Sequence, residues 1–347
     1  MIPKKLQYLL ALSKESHFAR AAAVCHVSQP TLSAGIQQLE AELGIQIVKR
    51  GQRFKGFTEE GDIVLDWARR TANECDRLQQ RLRDRSGGVS GTLRIGALGS
   101  TIPLMRFFTA PLRRLYPAVN LRVTVQNAFD IQQGIEDSAL DVAFTYLDKK
   151  ALRGSRSYPL YTEEYELLIR KGSPLSGQKS AAWDSVKQSP LCLLTLGPPL
   201  FGAEVSEILS DALTETPHII TNTIWLVMDH VRTGEWASVL PRPVRIMVSG
   251  DRELETIPLP LVGTPPTIGI VAPVRSPNSA LVETFYEIAT APETLRKLQE
   301  FLGPNATLRE FRAPAKPKPR PPVKPKRTYV AKKQRSAAPS KSFVGQR

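Results

Sequence analysis

Residues 18–39, FARAAAVCHVSQPTLSAGIQQL, constrain the fold more than any other stretch, because they read as two helices folded across a tight corner with an exposed polar face on the second. Ala19, Ala21, Ala22 and Ala23 let another helix approach closely, while Phe18 and Val24 supply bulk. The first helix is predicted to end near Cys25, His26 and Val27 make the corner, and Ser28 is an N-cap whose hydroxyl accepts a backbone N–H. Pro30 falls in the first turn, where its missing N–H costs little. Leu32, Ile36 and Leu39 then recur as a buried stripe. The other face carries Gln29, Thr31, Ser33 and Gln37, short neutral groups suited to hydrogen-bonding base edges in a major groove. A polar helix face is common on any surface; the corner, the cap and the alanine-rich partner helix together are more specific.

The flanks extend this unit. Leu6, Leu9 and Leu10 mark a third helix over 3–14, and Gly44 is placed to stop the reading helix. Ile45, Ile47 and Val48, then Phe57 after KRGQRFK, predict a two-stranded wing whose tip offers Lys49, Arg50, Arg53 and Lys55. Those cations are either a solvated tip or phosphate contacts, and a neighbouring reading helix favours phosphate. From Thr58-Glu59-Glu60 a long helix carries Val64, Trp67, Ala68, Thr71, Cys75, Leu78 and Leu82 at steps of three and four. A stripe of that length calls for a second copy of itself as partner, the alternative being the chain's own next domain.

After Ser86-Gly87-Gly88 the grammar changes. Strands at 92–95, 121–125 and 140–146 alternate with helices at 102–115 and around Ile131 and Ile135, which predicts a mostly parallel sheet covered by helices. Beyond Arg153 the pattern restarts, with strands at 165–169, 191–195 and 238–240 and helices near 201–213 and 223–233. A strand at 267–272 and helices at 279–289 and 292–302 are left to complete the first lobe. Two lobes joined by crossing segments make a cleft for a ligand at the carboxyl ends of the strands.

Charge and cysteine use narrow the setting. The net charge is +14, yet residues 313–347 hold eleven Lys and Arg and no acid, so only +3 belongs to residues 1–312. This tail, with APAKPKPRPPVKPKR, is expected to be extended and disordered, adding sequence-independent DNA affinity or serving only as a solubilising segment. Cys25, Cys75 and Cys192 form neither a disulfide framework nor a zinc signature. The N-terminus lacks a cleavage context, and no run approaches ~18 apolar residues, so a cytoplasmic chain without a membrane span is expected.

SHFARAAAVCHVSQPTLSAGIQQLEAELG, then KRGQRFKGFTEEG and GTLRIGA, resembles the LysR-type transcriptional regulators over residues 3–300. Departures are Ile47-Val48 before the wing, Ala34 where many members carry a base, and the proline-rich tail. The resemblance implies a winged helix-turn-helix (1–58), a dimerising linker helix (59–88) and an α/β two-lobed effector domain of the periplasmic-binding-protein kind (89–303), followed by the tail (304–347). Lobe I would take 89–160 and 267–303, and lobe II 161–266. It implies that Gln29, Pro30, Thr31, Ser33 and Gln37 face operator DNA, with Arg50 and Arg53 on phosphates. It also implies a dimer through the linker helix, usually assembled further into a tetramer, and a small-molecule effector in the cleft. Gly99-Ser100-Thr101 is placed to meet that effector, either as an anion site or as a plain helix cap, with Thr145, Thr195, Asn222 and Thr223 closing the pocket.

Rival functions fare worse. No GxGxxG, P-loop lysine or GxSxG elbow is present, and His17, His26, His218 and His230 form no metal-ligand spacing, so neither an enzyme nor a cofactor or metal is expected. A solute-binding protein on the two-lobed fold would want an export signal. A thiol redox sensor would want a cysteine pair in the effector domain, where only Cys192 lies.

Overall fold

The computed structural model describes residues 2–49, 51, 54–84, 89–147, 154–194, 203–215, 218–274 and 279–303. It opens with α1 (Lys4–Glu15), α2 (Phe18–Val24) and α3 (Gln29–Leu43). Leu12, Ala21, Ala22, Leu32 and Ile36 form one small core between them, and Leu6, Leu9, Leu39 and Ile47 another. Gly35 is required by the packing: a Cβ there would stand 2.6 Å from the Tyr8 ring of α1. The corner turns at His26, which adopts φ +55°, and Gly44 ends α3 at φ +69°.

The wing is shorter than the two-stranded ribbon expected from its β-branched residues. Its strands meet in one antiparallel bridge, Val48 with Phe57, and Lys49 N–H donates to the Gly56 carbonyl at 3.1 Å. Glu40 holds the entry, its carboxylate accepting Ile47 N–H at 2.8 Å and Val48 N–H at 3.0 Å. Thr58 then caps α4 (Glu59–Asp84), its hydroxyl accepting Gly61 N–H at 2.9 Å. Only the start of the apolar stripe is covered: Val64, Leu65 and Ala68 are buried against α1, whereas Trp67 (49 % exposed) and Leu82 (54 %) are open.

The first lobe runs β1 (Gly91–Ala97), a 3-10 turn (Gly99–Leu104), α5 (Met105–Leu115), β2 (Val119–Val125), α6 (Ala128–Glu136), β3 (Val142–Tyr146) and β4 (Ser155–Thr162). The helix expected over 102–115 divides here, and Pro103, without an N–H, sits in the tighter turn. After β4 the chain crosses to β5 (Tyr165–Arg170), α7 (Trp183–Lys187), β6 (Leu191–Leu194), α8 (Ala203–Glu215), β7 (His218–Thr221), α9 (Ile224–Thr233), β8 (Ser238–Pro241) and β9 (Leu254–Pro258). It returns as β10 (Thr267–Pro273), α10 (Ala280–Ala289) and α11 (Pro292–Leu302).

The five-stranded sheet has the order β2-β1-β3-β10-β4. β1 pairs in parallel with β2 and β3, as α/β alternation dictates, but β10 is antiparallel to both its neighbours, so the sheet is mixed rather than mostly parallel. β4 is an edge strand that accepts Pro159 beside a register shift at Ile268/Gly269. Gly269 is fixed there, since a Cβ would lie 2.4 Å from the Tyr158 carbonyl. The second lobe is built on β8-β5-β9, with β6 and β7 as a parallel pair. Neighbouring residues of β5 face opposite ways, Leu167 into one core cluster and Leu168 into another, because side chains alternate along a strand. Among the described residues no helix is long and apolar enough to cross a membrane.

Candidate functional site

Two sites follow from this architecture, one on α3 and one where β4 crosses to β5. On α3, burial of Leu32, Ile36 and Leu39 turns Gln29, Pro30, Thr31 and Gln37 to solvent, with Ser33 half-buried. Ser28 caps the helix by accepting Thr31 N–H at 3.3 Å. The same hydroxyl lies 2.8 Å from that of Thr31, so Thr31 is held by the cap, while among the described residues the Gln29 and Gln37 amides make no side-chain hydrogen bond. Lys49 and Lys55 of the wing are exposed cations. Arg50 and Arg53 lie outside the described residues, as do Thr195 and the tail from 304 onward.

The linker helix ties this head to the first lobe through its polar side. Arg77 donates from Nε at 3.2 Å and Nη2 at 3.0 Å to Asp141 Oδ1, and from Nη2 to the Leu140 carbonyl at 2.8 Å. Asp141 Oδ2 in turn accepts Arg94 N–H of β1 at 2.9 Å. Arg70 and Asn73, two turns and one turn earlier, reach Asp137 at 3.4 and 3.2 Å. The alternative of a helix resting on its own chain is thus realised by the polar face. The apolar face, with Trp67, Leu78 and Leu82, stays uncovered on the other side.

At the crossover the chain buries a carboxyl group. Glu163 is fully buried and its backbone N–H donates to the Pro266 carbonyl of the returning segment at 2.9 Å. Its Oε2 accepts the Tyr146 hydroxyl of β3 at 3.0 Å and the Tyr165 hydroxyl of β5 at 2.8 Å, so one oxygen links both lobes. Ser100 stands between Tyr161 and Glu163, close enough to lower the pKa of each, yet its hydroxyl reaches no partner in hydrogen-bond geometry. Tyr161 OH and Glu163 Oε1 are likewise unpartnered. Burial pushes the Glu163 carboxyl above its ordinary value, opposed by Ser100, Tyr165 and Tyr146. Burial also drives the Tyr146 and Tyr161 phenols well up, keeping them neutral.

The residues expected to hold an effector divide. Ser100 belongs to the Glu163 cluster. Thr101 does not enter it as a free donor: its hydroxyl donates to the Leu98 carbonyl at 2.8 Å, the plain cap. Thr145 is buried on β3, paired in register with Gly269, next to Tyr146. Asn222 and Thr223 are exposed ahead of α9, and among the described residues no hydrogen bond joins them to the cluster. The turn that carries Gly99-Ser100-Thr101 is a six-residue 3-10 segment, whose dipole is weak. Tyr146, Tyr161, Glu163 and Tyr165 were not legible as site residues. Their one sequence signal is Y-T-E-E-Y, where two acids stand between tyrosines at a strand boundary.

Comparison with known proteins places both sites in context. Residues 3–62 match the pattern described as bacterial regulatory helix-turn-helix protein, lysR family, and residues 86–291 match the LysR substrate binding domain. A hydrogen peroxide-inducible genes activator of Pectobacterium carotovorum is 26 % identical over 295 residues, which is 85 % of this chain and 95 % of that protein. A full-length OxyR variant of Pseudomonas aeruginosa is similar in fold, with TM-score 0.60 and 22 % identity over 89 % of this chain and 98 % of that one. Full-length CbnR in complex with its target DNA gives TM-score 0.63 and 19 % identity over 85 % and 99 %.

Proposed function

Because the chain belongs to the LysR family of bacterial helix-turn-helix regulators, whose substrate binding domain spans more than half of it, we propose how it reads DNA and what controls that reading. It is a DNA-binding transcriptional regulator with an effector-binding domain. In our reading Gln29, Thr31, Ser33 and Gln37 meet base edges, Pro30 lies against the duplex, and Lys49, Arg50, Arg53 and Lys55 contact phosphates. A small molecule bound at the crossover changes the relation of the lobes and, through α4, the spacing of two half-sites. The observation that carries this is the Arg77–Asp141 pair, which fastens the helix behind the reading head to the first strands of the effector domain.

Two uncovered apolar faces support a homo-oligomer. One is the α4 stripe. The other is split between the lobes: Val123, Val125 and Phe129 at the β2 edge, and Ile220, Trp225 and Leu226 beside β7. A dimer along α4 and a second contact between effector domains together make a tetramer. With DNA as its partner the protein acts in the cytoplasm, by binding rather than by catalysis.

The peroxide response in the name of the Pectobacterium relative favours a thiol sensor, but the effector-domain cysteine opposes it. Cys192 is fully buried in β6, and burial raises its thiol pKa, the reverse of a reactive thiolate. The reading is tested by gel-shift titration on the promoter region beside its own gene. Gln29→Ala and Ser33→Ala should each lose about 1–3 kcal/mol of discrimination for the operator. Binding as tight and as selective as the parent's would remove α3 from base recognition.

A further inference from the structure

Glu164, the next residue of the crossing segment, leads to a larger space than the cluster around Glu163 offers. Its carboxylate pairs with Arg242, whose backbone N–H donates to the Glu164 carbonyl at 2.8 Å. Arg242 opens a second 3-10 turn (Arg242–Met247), which forms one wall of a cavity of about 430 Å³. That volume lies within the roughly 300–1,000 Å³ of ligand clefts, whereas the space beside Glu163 holds little more than one water. The cavity touches both lobes. Phe301 and Leu302 reach it from the end of α11, where Leu302 belongs to the first-lobe core, and the rest of its wall comes from the second lobe.

The lining holds more hydrogen-bond donors than its own acids use. Asp251 is fully engaged: one oxygen accepts Arg232 at 2.8 Å, and the other accepts the Glu253 and Leu254 N–H groups at 2.9 and 3.1 Å. Glu255 accepts the Ser176 hydroxyl. The cations are less occupied. Among the described residues Lys171 forms no ion pair, and its ammonium spends one N–H on the Asp251 carbonyl at 2.6 Å. Arg245, with a side chain 40 % exposed, spends one of its guanidinium donors on Glu166 at 3.3 Å. Val248, Leu254 and Leu302 supply apolar wall. Spare donors beside an apolar surface suit a ligand that carries an acid on a hydrocarbon body.

Glu166 makes this arrangement responsive. It is buried, and its Oε1 is shared between Arg245 Nη1 at 3.3 Å and Arg242 Nε at 3.8 Å, while its Oε2 and the Arg242 Nε make no hydrogen bond. We propose that the cavity binds a small carboxylic acid with an apolar body, whose carboxylate takes Arg245 and whose body lies along Val248, Leu254 and Leu302. The proposal rests on the reading of the chain as a regulator whose effector acts at the crossover. A ligand carboxylate on Arg245 competes with Glu166, which then closes on Arg242 Nε and draws that guanidinium from Glu164 in the crossing segment. Occupancy of the cavity thereby becomes a change of ion pairing between the lobes.

The test uses the full chain, titrated calorimetrically and by thermal unfolding with hexanoate and phenylacetate, against hexanamide, hexylamine and inorganic phosphate. At least one of the carboxylates should bind and raise the melting temperature by mass action, and the controls should not. Arg245→Gln should weaken the carboxylate by about tenfold or more, Arg245→Lys, which keeps the charge, by less, and Lys171→Gln by a few-fold. Unfolding without ligand reports whether Arg245→Gln folds. If it does not, Ile246→Asp carries the test, because it sets a like charge on an exposed residue of the same wall and should also weaken binding by about tenfold. Amide binding as tight as that of the acid, phosphate or amine binding in place of carboxylate, affinity unaltered in these variants, or no carboxylate binding at millimolar concentration overturns the proposal. A carboxylate that binds without changing operator affinity overturns the link through Glu164. An operator gel shift on the same preparation separates the two readings. Intact operator binding with no carboxylate bound refutes the cavity alone, and carboxylate binding without operator binding refutes the DNA-reading assignment alone.

Discussion

Arg77 on the linker helix and Asp141 at the head of β3 form the joint between reading head and sensor: two donors of one guanidinium, at 3.2 and 3.0 Å, converge on one carboxylate oxygen. The pair is nearly enclosed, with side chains 11 % and 14 % exposed, and burial lowers the Arg77 pKa against the pull of Asp141 and Glu74. Arg77→Ala leaves Asp141 with the Arg94 N–H alone. A cost of roughly 2–3 kcal/mol in urea unfolding is expected, below the ~3–5 kcal/mol of a wholly buried pair, because that second donor remains. In gel shifts the variant should retain operator binding and lose its response to effector; a full response would remove the joint from signalling.

Gly61 admits no side chain. A Cβ there would lie 2.1 Å from the Ile47 carbonyl oxygen, which is backbone and cannot turn aside. Gly61→Ala should therefore displace the wing entry or the start of α4, at a cost of about 1–3 kcal/mol as for other overpacked sites. Thermal unfolding checks the cost, and loss of operator binding at temperatures where the variant is folded checks the displacement.

The uncovered stripe on α4 predicts the assembly. Leu82→Glu places a charge on the exposed apolar face without touching the described core, so the folded chain should sediment as a smaller species than the parent. An unchanged sedimentation coefficient would mean that this face is not the contact between copies.

Glu163 should leave its mark on stability. Burial holds its folded pKa above the ordinary 4.5. The folded state then binds the proton more tightly than the unfolded one, so the contribution is whole below 4.5 and is lost as pH rises through the folded pKa. The Tyr146 and Tyr161 phenols packed around it, driven well up by burial, stay neutral over that range. The urea midpoint of the parent should accordingly fall relative to that of Glu163→Gln as pH climbs from 4.5, and parallel curves would contradict the assignment.

Cys192 packs with Leu168, Val227 and Leu240 rather than facing solvent. Cys192→Ala should respond to effector as the parent does and be as indifferent to peroxide in operator gel shifts. A peroxide response present in the parent and absent from the variant would restore the thiol reading.

Local chemistry explains what was legible beforehand. Ser28, Gly44 and Thr58 cap or stop helices through their own backbone neighbourhoods, so their roles stand in the sequence. β4 was missed because Ser155, Arg156, Ser157 and Pro159 hide an edge strand, and β7 and β9 because four or five residues with mixed burial carry too little periodicity. Ser100 was anticipated from its place after β1. Glu163, Tyr146 and Tyr165 come together only when β10 inserts beside β3 and the chain crosses twice between lobes, a relation between residues far apart along the chain.

The double attachment of α4 gives it a mechanical meaning. Toward one end Val64, Leu65 and Ala68 are clamped to α1, and further along Arg70, Asn73 and Arg77 are bolted to the first lobe, so the helix is a lever arm held at both the head and the lobe. At about 1.5 Å per residue its 26 residues reach roughly 39 Å. Arg77, the last of these attachments, stands about 27 Å from the Glu59 end, so a tilt of about 10° at the lobe sweeps that tip through about 5 Å, more than one base-pair step of ~3.4 Å. Small angles in the sensor become whole steps of register on the duplex.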